Sequence, residues 1–236
     1  MENLDFDRID STRHDDAIVA TLMRNVYLWM TLALVITALT AMVCAKSEAF
    51  MALLFSSRAL LWGVMIAELV LVMVFSARLM KMSFSRATLV FIIYSILNGI
   101  VFSTIFCAFS LGSIYTTFFV TAGTFAAMAL VGSFSKKDLS GIGKFAIMAL
   151  IGLIIAGIVN IFLRNTMFDL IVSGIGVLVF SALTAYDSQK IKQMLYTQSD
   201  IDDNSQKIAL FGSLSLYLDF INLFLYLLRF FGSSRD

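Results

Sequence analysis

Residues 208–231 read IALFGSLSLYLDFINLFLYLLRFF, a long apolar run with one acidic residue, Asp219, near its centre. At 1.5 Å per residue, a helix of this length extends about 36 Å, which is enough to cross a hydrocarbon core of about 30 Å. The segment therefore predicts a membrane-spanning helix that carries a carboxyl group at mid-depth.

Six further apolar runs of similar length precede this segment. Each has about 20 residues, and none shows the period-two alternation of a transmembrane β-strand. The sequence therefore predicts an all-α integral membrane protein, with a seven-helix transmembrane domain over 25–232 and a polar tail over 1–24 that becomes helical before the first span. The six runs are 25–45, 59–77, 88–111, 114–132, 145–163 and 168–188.

The composition agrees with a lipid bilayer as the solvent of the chain. Of the 236 residues, 60% are hydrophobic and 14% are charged, whereas about 25% are charged in an ordinary soluble domain. A soluble fold of this size cannot bury so much apolar surface. Two cysteines exclude a disulfide scaffold, and a net charge of +1 argues against a nucleic-acid partner.

The basic residues between the spans predict the orientation of the chain. Twelve of the 17 Lys and Arg residues fall on the side of the N-terminus. By the positive-inside rule this side faces the cytoplasm, so the tail is cytoplasmic and seven spans place the C-terminus outside. The twelve are Arg8, Arg13, Arg24, Arg78, Lys81, Arg86, Lys136, Lys137, Lys144, Lys190, Lys192 and Lys207.

Asp219 is the residue in the spans that most needs a functional explanation. It lies 11 residues after Ile208, or about 16 Å along a helix, which is near the middle of the membrane. An ionised carboxylate there costs about 2.5–3.5 kcal/mol on insertion scales. Intramembrane acids usually mark ion or proton paths, although a neutral acid bonded to a neighbouring helix is the structural alternative.

A second acid, Asp187, closes the sixth predicted span in the segment SALTAYDSQKI. The sixth and seventh spans are consecutive and antiparallel, so contact between Asp187 and Asp219 is feasible. Their depths differ, however, because the predicted bounds put Asp187 near the cytoplasmic surface. Contact requires a sixth helix that reaches deeper, a seventh helix that begins later, or a cytoplasmic cavity.

Three other charged residues lie in or beside the predicted spans. Glu68 is near mid-depth in the second span and is either part of the same polar path or a separate protonated acid. Arg78 ends that span and either reaches inward as a latch or extends to the interface. Asp169 begins the sixth span, where a solvated acid suits the positive end of the helix dipole.

A pair of carboxylates in contact can respond to pH. Two such groups cannot both ionise cheaply, so they can share one proton. Such a pair is a proton-controlled lock, hydrogen-bonded when protonated and repelling when ionised. The ionised oxygens of Asp187 and Asp219 suit a hard cation such as Ca²⁺. The only histidine, His14, lies in the tail, so the carboxylates must supply any pH response near neutrality inside the bundle.

The residue inventory favours a non-enzymatic protein without a bound cofactor. The spans contain no lysine for a Schiff base, and a single histidine cannot supply a catalytic Ser–His pair or a common zinc or haem site. Cys44 and Cys107 are expected to be free thiols. The acidic loop 200–204 begins like a calcium-binding loop but lacks the glycine and glutamate that such a loop requires at its sixth and twelfth positions.

Four segments are similar to the Bax inhibitor motif family of seven-helix membrane proteins, in its bacterial branch. SALTAYDSQKI and the segment around Asp219 are the most specific of them, and the similarity extends from Arg24 to Gly232. The loop between the two aspartates is longer here than in the family, with the additional residues around 196–206. The four segments are MRNVYLWMTLALVITALTA (23–41), NGIVFSTIF (98–106), SALTAYDSQKI (181–191) and LSLYLDFINLFLYLLRFFG (214–232).

This resemblance implies a specific fold and function. It implies a bundle around a central seventh helix in the bacterial inner membrane, and a pH-sensitive calcium leak in which Asp187 and Asp219 hydrogen-bond to each other. It also implies a basic latch, for which Arg78 is the nearest match, and an acidic position matched by Glu68. Two alternatives stay open: a regulator that binds another membrane protein, such as a quality-control protease or a cell-death factor, and a proton-coupled cation exchanger.

Overall fold

The computed structural model describes residues 2–233, except for the side chains of residues 2–14 and of Arg58, so the prediction about His14 lies outside the described residues. Seven stretches of this part of the chain are long and apolar enough to cross a membrane, which confirms the predicted seven-helix membrane fold. The helices are α1 Glu2–Lys46, α2 Glu48–Ser56, α3 Arg58–Arg78, α4 Phe84–Phe102, α5 Ile105–Ala108, α6 Leu111–Phe134, α7 Ser140–Leu163, α8 Thr166–Leu195 and α9 Asp203–Phe231, with a 3₁₀ turn at Leu79–Lys81.

The helices form two compact units. The first unit combines the chain up to Ser103 with Lys190–Leu214, and the second combines Thr104–Gln189 with the chain from Ser215 onward. Each of the long helices α8 and α9 is divided, with one part in the first unit and the other part in the second unit. Asp187 and Asp219 both belong to the second unit, whereas Glu68 and Arg78 belong to the first.

The third predicted span, 88–111, is confirmed as one membrane-length segment, Phe84–Ala108, but the helix within it is interrupted. Helix α4 ends at Phe102, and the short α5 begins at Ile105. The hydroxyl of Ser103 donates to the carbonyl oxygen of Ile100 at 2.6 Å, and a serine that bonds to the backbone in this way competes with the regular helix. Hydropathy does not detect this break because the residues on both sides are apolar.

Helix α8 is longer than the predicted span 168–188, because it continues to Leu195. The extension is amphipathic: Ile191 and Leu195 are buried, while Gln193 between them is exposed. A hydropathy average ends a helix where polar residues begin, but the helical spacing of the buried residues continues. Asp187 therefore lies about two turns inside the helix and not at its end, which corrects the predicted position.

Helix α9 begins at Asp203, five residues before the predicted start at Ile208. Asp202 caps its first turn. Oδ1 of Asp202 accepts a hydrogen bond from the N–H of Ser205 at 2.7 Å, and Oγ of Ser205 accepts one from the N–H of Asp202 at 2.9 Å. The Ser205 N–H lowers the pKa of the Asp202 carboxyl. This capping pair gives the acidic loop a structural role at a helix N-terminus.

In the first unit, α4 packs closely against α1. Gly99 has no side chain, and a Cβ there would lie 2.5 Å from Cβ of Thr40. The hydroxyl of Thr37 donates to the carbonyl oxygen of Ser95 at 3.0 Å. Small residues and interhelical hydrogen bonds are how helices associate in lipid, where apolar burial contributes little.

In the second unit, α6 and α7 contact the same part of α8. A Cβ at Gly132 would collide with the backbone carbonyl of Ala185, and one at Gly143 would collide with the ring of Tyr186. The next residues of α8 include Asp187. The glycines therefore bring two helices against α8 directly beside the predicted site residue.

Replacing Gly132 by Ala is expected to lower the free energy of unfolding by about 1–3 kcal/mol, because the added methyl group meets backbone that cannot rotate away. The measurement is thermal unfolding of the detergent-solubilised protein. The matched control is Gly152→Ala, since nothing lies within 4 Å of a Cβ at Gly152 and Ala is the better helix former. Equal unfolding temperatures for the two variants would contradict the close packing of α6 on α8.

Candidate functional site

Asp219 lies near the middle of α9 and is only 5% exposed. Its Oδ2 atom is buried and has no hydrogen-bond partner among the groups that the structure describes. The neighbouring Phe220 anchors the helix, because its ring meets those of Phe118 and Phe125 of α6 at centroid distances of 5.7 and 5.5 Å. The chain thus holds a carboxyl group in an apolar interior and leaves one of its oxygens available.

Asp187 and Asp219 both lie in the second unit, and the charge of Asp187 acts on the carboxyl group of Asp219. Asp187 is half-buried and Asp219 is buried. Asp187 lies eight residues, or about 12 Å, before the end of α8.

A glutamine fixes α8 beside Asp187. Gln189 is 8% exposed, and its Oε1 accepts the N–H of Leu139 at 2.8 Å. Its Nε2 donates to the carbonyl oxygens of Lys137 at 2.8 Å and Ser135 at 3.3 Å. One buried side chain therefore ties the connection between α6 and α7 to α8, two residues from Asp187. Sequence reasoning missed it because a polar residue at a helix end resembles an ordinary surface residue.

Two buried serine hydroxyls of α8 also lie in this unit. Ser173 and Ser188 are fully buried, and their Oγ atoms have no hydrogen-bond partner in the described part of the chain. The hydroxyl of Thr184, by contrast, donates to the carbonyl oxygen of Phe180 at 2.8 Å. Native proteins leave few buried polar groups unsatisfied, so such atoms often mark functional positions.

A polar cluster that sequence reasoning missed lies at the other end of α8. Oδ1 of Asp169 accepts a hydrogen bond from Nδ2 of Asn160 at 3.2 Å, and it lies 3.6 Å from Nη1 of Arg229. Arg229 also lies 5.8 Å from the ring centroid of Tyr226. The predicted place of Asp169 in a helix first turn is confirmed, and the structure adds an ion pair to it. The sequence contains one indication of this cluster, because Arg229 is the only basic residue within the run 208–231.

Glu68 and Arg78 occupy different environments within the first unit. Glu68 is half-buried in the middle of α3, and its charge interacts with the buried Tyr94 of α4. Arg78 is exposed at the last position of α3, ten residues and about 15 Å from Glu68 along the helix axis. The structure therefore does not bring these two residues together, and the role of Arg78 as a latch stays a prediction.

Lys207 is another residue whose surroundings differ from the prediction. The sequence placed it in a cytoplasmic loop, but it lies in the first turns of α9 and is only 8% exposed. Its Nζ lies 3.2 Å from Oδ2 of Asp203, and Oδ1 of Asp203 accepts the N–H of Phe84 at 3.3 Å. The lysine is buried because it completes a polar contact that joins the N-termini of α9 and α4.

Asp187 and Asp219 do not belong to a larger cluster of metal ligands in the described part of the chain. Among the side chains that the structure describes, no group of three or more His, Cys, Asp and Glu residues could hold a metal ion. A dedicated calcium site uses six to eight oxygen ligands, usually including several carboxylates. Asp187 and Asp219 contribute only two carboxyl groups, which is fewer ligands than such a site uses.

Comparison with known proteins gives one family match that covers most of the chain. The family model described as "Inhibitor of apoptosis-promoting Bax1" matches residues 19–236. This result confirms the resemblance that the segments around Asp187 and Asp219 indicate.

Several bacterial proteins are similar over almost their whole length. "Inner membrane protein YbhL" of Escherichia coli (strain K12) is 48% identical over 232 residues, which cover 98% of this chain and 99% of that protein. An uncharacterized protein of Borreliella burgdorferi is 38% identical over 230 residues, covering 97% and 99%. An uncharacterized protein of Deinococcus radiodurans is 38% identical over 218 residues, covering 92% of each chain.

Proposed function

The chain belongs to the family described as Inhibitor of apoptosis-promoting Bax1, and from this premise we propose that it is a pH-sensitive cation leak channel of the bacterial inner membrane. The transported ion is Ca²⁺, and the protonation of Asp187 and Asp219 controls the path. The inner membrane is proposed because YbhL, the E. coli relative, carries that location in its name.

One observation carries the proposal: Asp219 is buried in mid-helix, one of its carboxyl oxygens has no partner in the described part of the chain, and its charge interacts with that of Asp187. A buried acid in a membrane is costly, so it is retained where it serves a path for ions or protons. A purely structural acid would satisfy both of its oxygens with hydrogen bonds. Asp219 therefore fits an ion path better than a packing role.

The pair controls the path through one shared proton. At low pH, the proton lies between the carboxyl groups of Asp187 and Asp219, and the hydrogen bond holds α8 and α9 together. At higher pH, the proton is lost and the two carboxylates repel each other. Water and a hard cation then replace the proton, because carboxylate oxygens are the ligands that Ca²⁺ prefers. The flux should therefore rise with pH.

The orientation predicted from the loop charges is part of this proposal. The N-terminus is cytoplasmic and the C-terminus is outside. A reporter enzyme that is active only outside the inner membrane, fused to the C-terminus, tests this orientation. An inactive but stable fusion would contradict it.

The flux experiment uses the whole chain reconstituted in vesicles that contain a calcium-sensitive dye. Calcium entry is expected to rise by up to about tenfold per pH unit below its midpoint, the limit for one shared proton. Empty vesicles measure the background leak. A flux that does not change between about pH 3 and pH 9 would contradict the proposal, because this range covers the titration of ordinary and of buried carboxyl groups. A flux that occurs only when protons move in the opposite direction would instead indicate an exchanger.

A second function is favoured by the family description, which names an inhibitor of another protein. In this alternative, the chain binds and restrains a membrane protein such as a protease or a stress factor. Cross-linking in intact membranes, followed by measurement of the partner's turnover, tests this alternative. It predicts that a variant without ion flux still protects the partner, whereas loss of both effects together would contradict it.

A further inference from the structure

We propose that Tyr226, stacked on Phe180 above Gly176, forms the outer constriction of the cation path that begins at Asp219. This inference rests on the proposed function, because it concerns the same path. It adds the residues that close the path between the acid pair and the far end of α8 and α9. All of the residues involved belong to the second unit.

Except for Phe180, one face of α8 carries a series of polar and small residues. At 3.6 residues per turn, the positions of this series lie within an arc of about 80°, so they share one side of the helix. The series covers 18 residues, or about 27 Å, which is nearly the depth of the hydrocarbon core. In order from the acid pair outward, the positions are Asp187, Thr184, Phe180, Gly176, Ser173 and Asp169.

The single large apolar member of this series is Phe180, and α9 supplies its partner. Tyr226 lies seven residues after Asp219, or two turns and about 10 Å further along α9. Positions 219 and 226 share one face of α9, because seven residues nearly complete two turns. The ring of Tyr226 therefore lies on the outward route from Asp219.

The two rings form a compact barrier. Their centroids are 5.7 Å apart, the ring planes meet at 28°, and Phe180 is only 5% exposed. Gly176 makes this position possible, because a Cβ there would lie 2.5 Å from the Tyr226 ring. Apolar rings that fill a narrow route exclude water, and constrictions of this kind close channels by dewetting.

Polar groups resume on the far side of the rings. Ser173 is fully buried, and its hydroxyl has no hydrogen-bond partner in the described chain. One turn further lies Asp169 with its partners Asn160 and Arg229. Since Arg229 also lies 5.8 Å from the Tyr226 ring, it links the barrier to this outer cluster. A carboxyl pair, an aromatic barrier and a second carboxylate therefore follow one another along α8 and α9.

Calcium flux of Tyr226→Ala tests the proposal in the vesicle assay. At high pH, the flux should rise by at least about tenfold over the unsubstituted protein, which corresponds to removing about 1.4 kcal/mol of barrier. The midpoint of the pH profile should stay in place, because Asp187 and Asp219 are intact. Tyr226→Phe keeps the ring and should behave like the unsubstituted protein. Tyr115→Ala is the matched control, since Tyr115 is 51% exposed.

A second measurement does not depend on calcium flux. In a chain with Cys44→Ser and Cys107→Ser, the buried Thr184 is replaced by Cys and exposed to a charged thiol reagent added on the outer side. The reagent should modify this cysteine at least about tenfold faster when Tyr226→Ala is also present. This increase corresponds to a barrier lower by about 1.4 kcal/mol, the same change that is expected for calcium flux. Tyr226→Leu serves as a second variant if the alanine variant does not fold.

The outcomes separate the two proposals. If flux depends on pH and on Asp219 but neither flux nor thiol modification changes in folded Tyr226 variants, the constriction is wrong and the leak proposal stands. If flux does not depend on pH or Asp219 and thiol modification still increases, the leak proposal fails and the barrier at Tyr226 is supported. No change in either measurement overturns the constriction.

Discussion

The Asp219→Asn variant should show a low calcium flux that no longer changes with pH. Asn has nearly the size of Asp and can still hydrogen-bond to Asp187, but it cannot lose a proton in this range. The repulsion that separates the two side chains at high pH is then absent, and the path stays closed. At the pH where the unsubstituted protein is fully open, the flux should fall by at least about tenfold, the effect of one pH unit on a single proton.

The matched control for this experiment is Asp138→Asn. Asp138 is an exposed acid of the same unit, and its Oδ1 accepts the N–H of Ser140 at 2.9 Å, a contact that Asn can also make. The Ser140 hydrogen bonds hold the pKa of the Asp138 carboxyl below its usual range, so its titration lies away from neutral pH. This control should keep the full pH profile. An unaltered profile in folded Asp219→Asn would contradict the assignment of Asp219.

The second large effect is expected from combining Asp187→Asn with Asp219→Asn. If the two carboxyl groups act as one pair that shares a proton, either single substitution already removes the response. The double variant should therefore show the same flux as each single variant, and the effects should be far from additive. The measurement is the calcium flux of the unsubstituted protein, the two single variants and the double variant at several pH values, normalised to the amount of reconstituted protein. Comparison of the four fluxes gives the coupling between Asp187 and Asp219.

Independent losses of flux from the two substitutions would indicate two separate acids and not one coupled pair. Two acids that contribute separately, for example as successive binding positions along the path, would each lower the flux by their own factor. The factors would then multiply in the double variant. Multiplied losses would contradict the shared proton but would still assign both residues to the path.

The sequence predicts the seven spans because lipid imposes a simple requirement on length and apolarity. Runs such as 208–231 meet this requirement without reference to any partner. Asp219 is equally visible, since an acid stands out in an apolar run. The termination of α8 was predicted wrongly because hydropathy averages ignore the spacing of Ile191 and Leu195, which continue the buried face beyond the membrane-length run.

The remaining parts of the site depend on which residues meet in three dimensions. Phe180 and Tyr226 are ordinary apolar residues in the sequence, and only the structure shows their rings stacked beside Gly176. Gln189 is similar, because its partners are main-chain groups about 50 residues away, and main-chain groups leave no mark in the sequence. Composition identifies the chemistry of an intramembrane acid, but packing decides which neighbours surround it.

Infrared difference spectroscopy of the reconstituted protein between low and high pH tests the shared proton most directly. A proton shared by Asp187 and Asp219 predicts a carbonyl band of a protonated carboxylic acid at low pH, which disappears over the same pH range in which calcium flux rises. It also predicts that this band is lost in Asp219→Asn and retained in Asp138→Asn. A band that persists unchanged across the whole range in which flux rises, or that survives in Asp219→Asn, would contradict the shared proton as the control of the path.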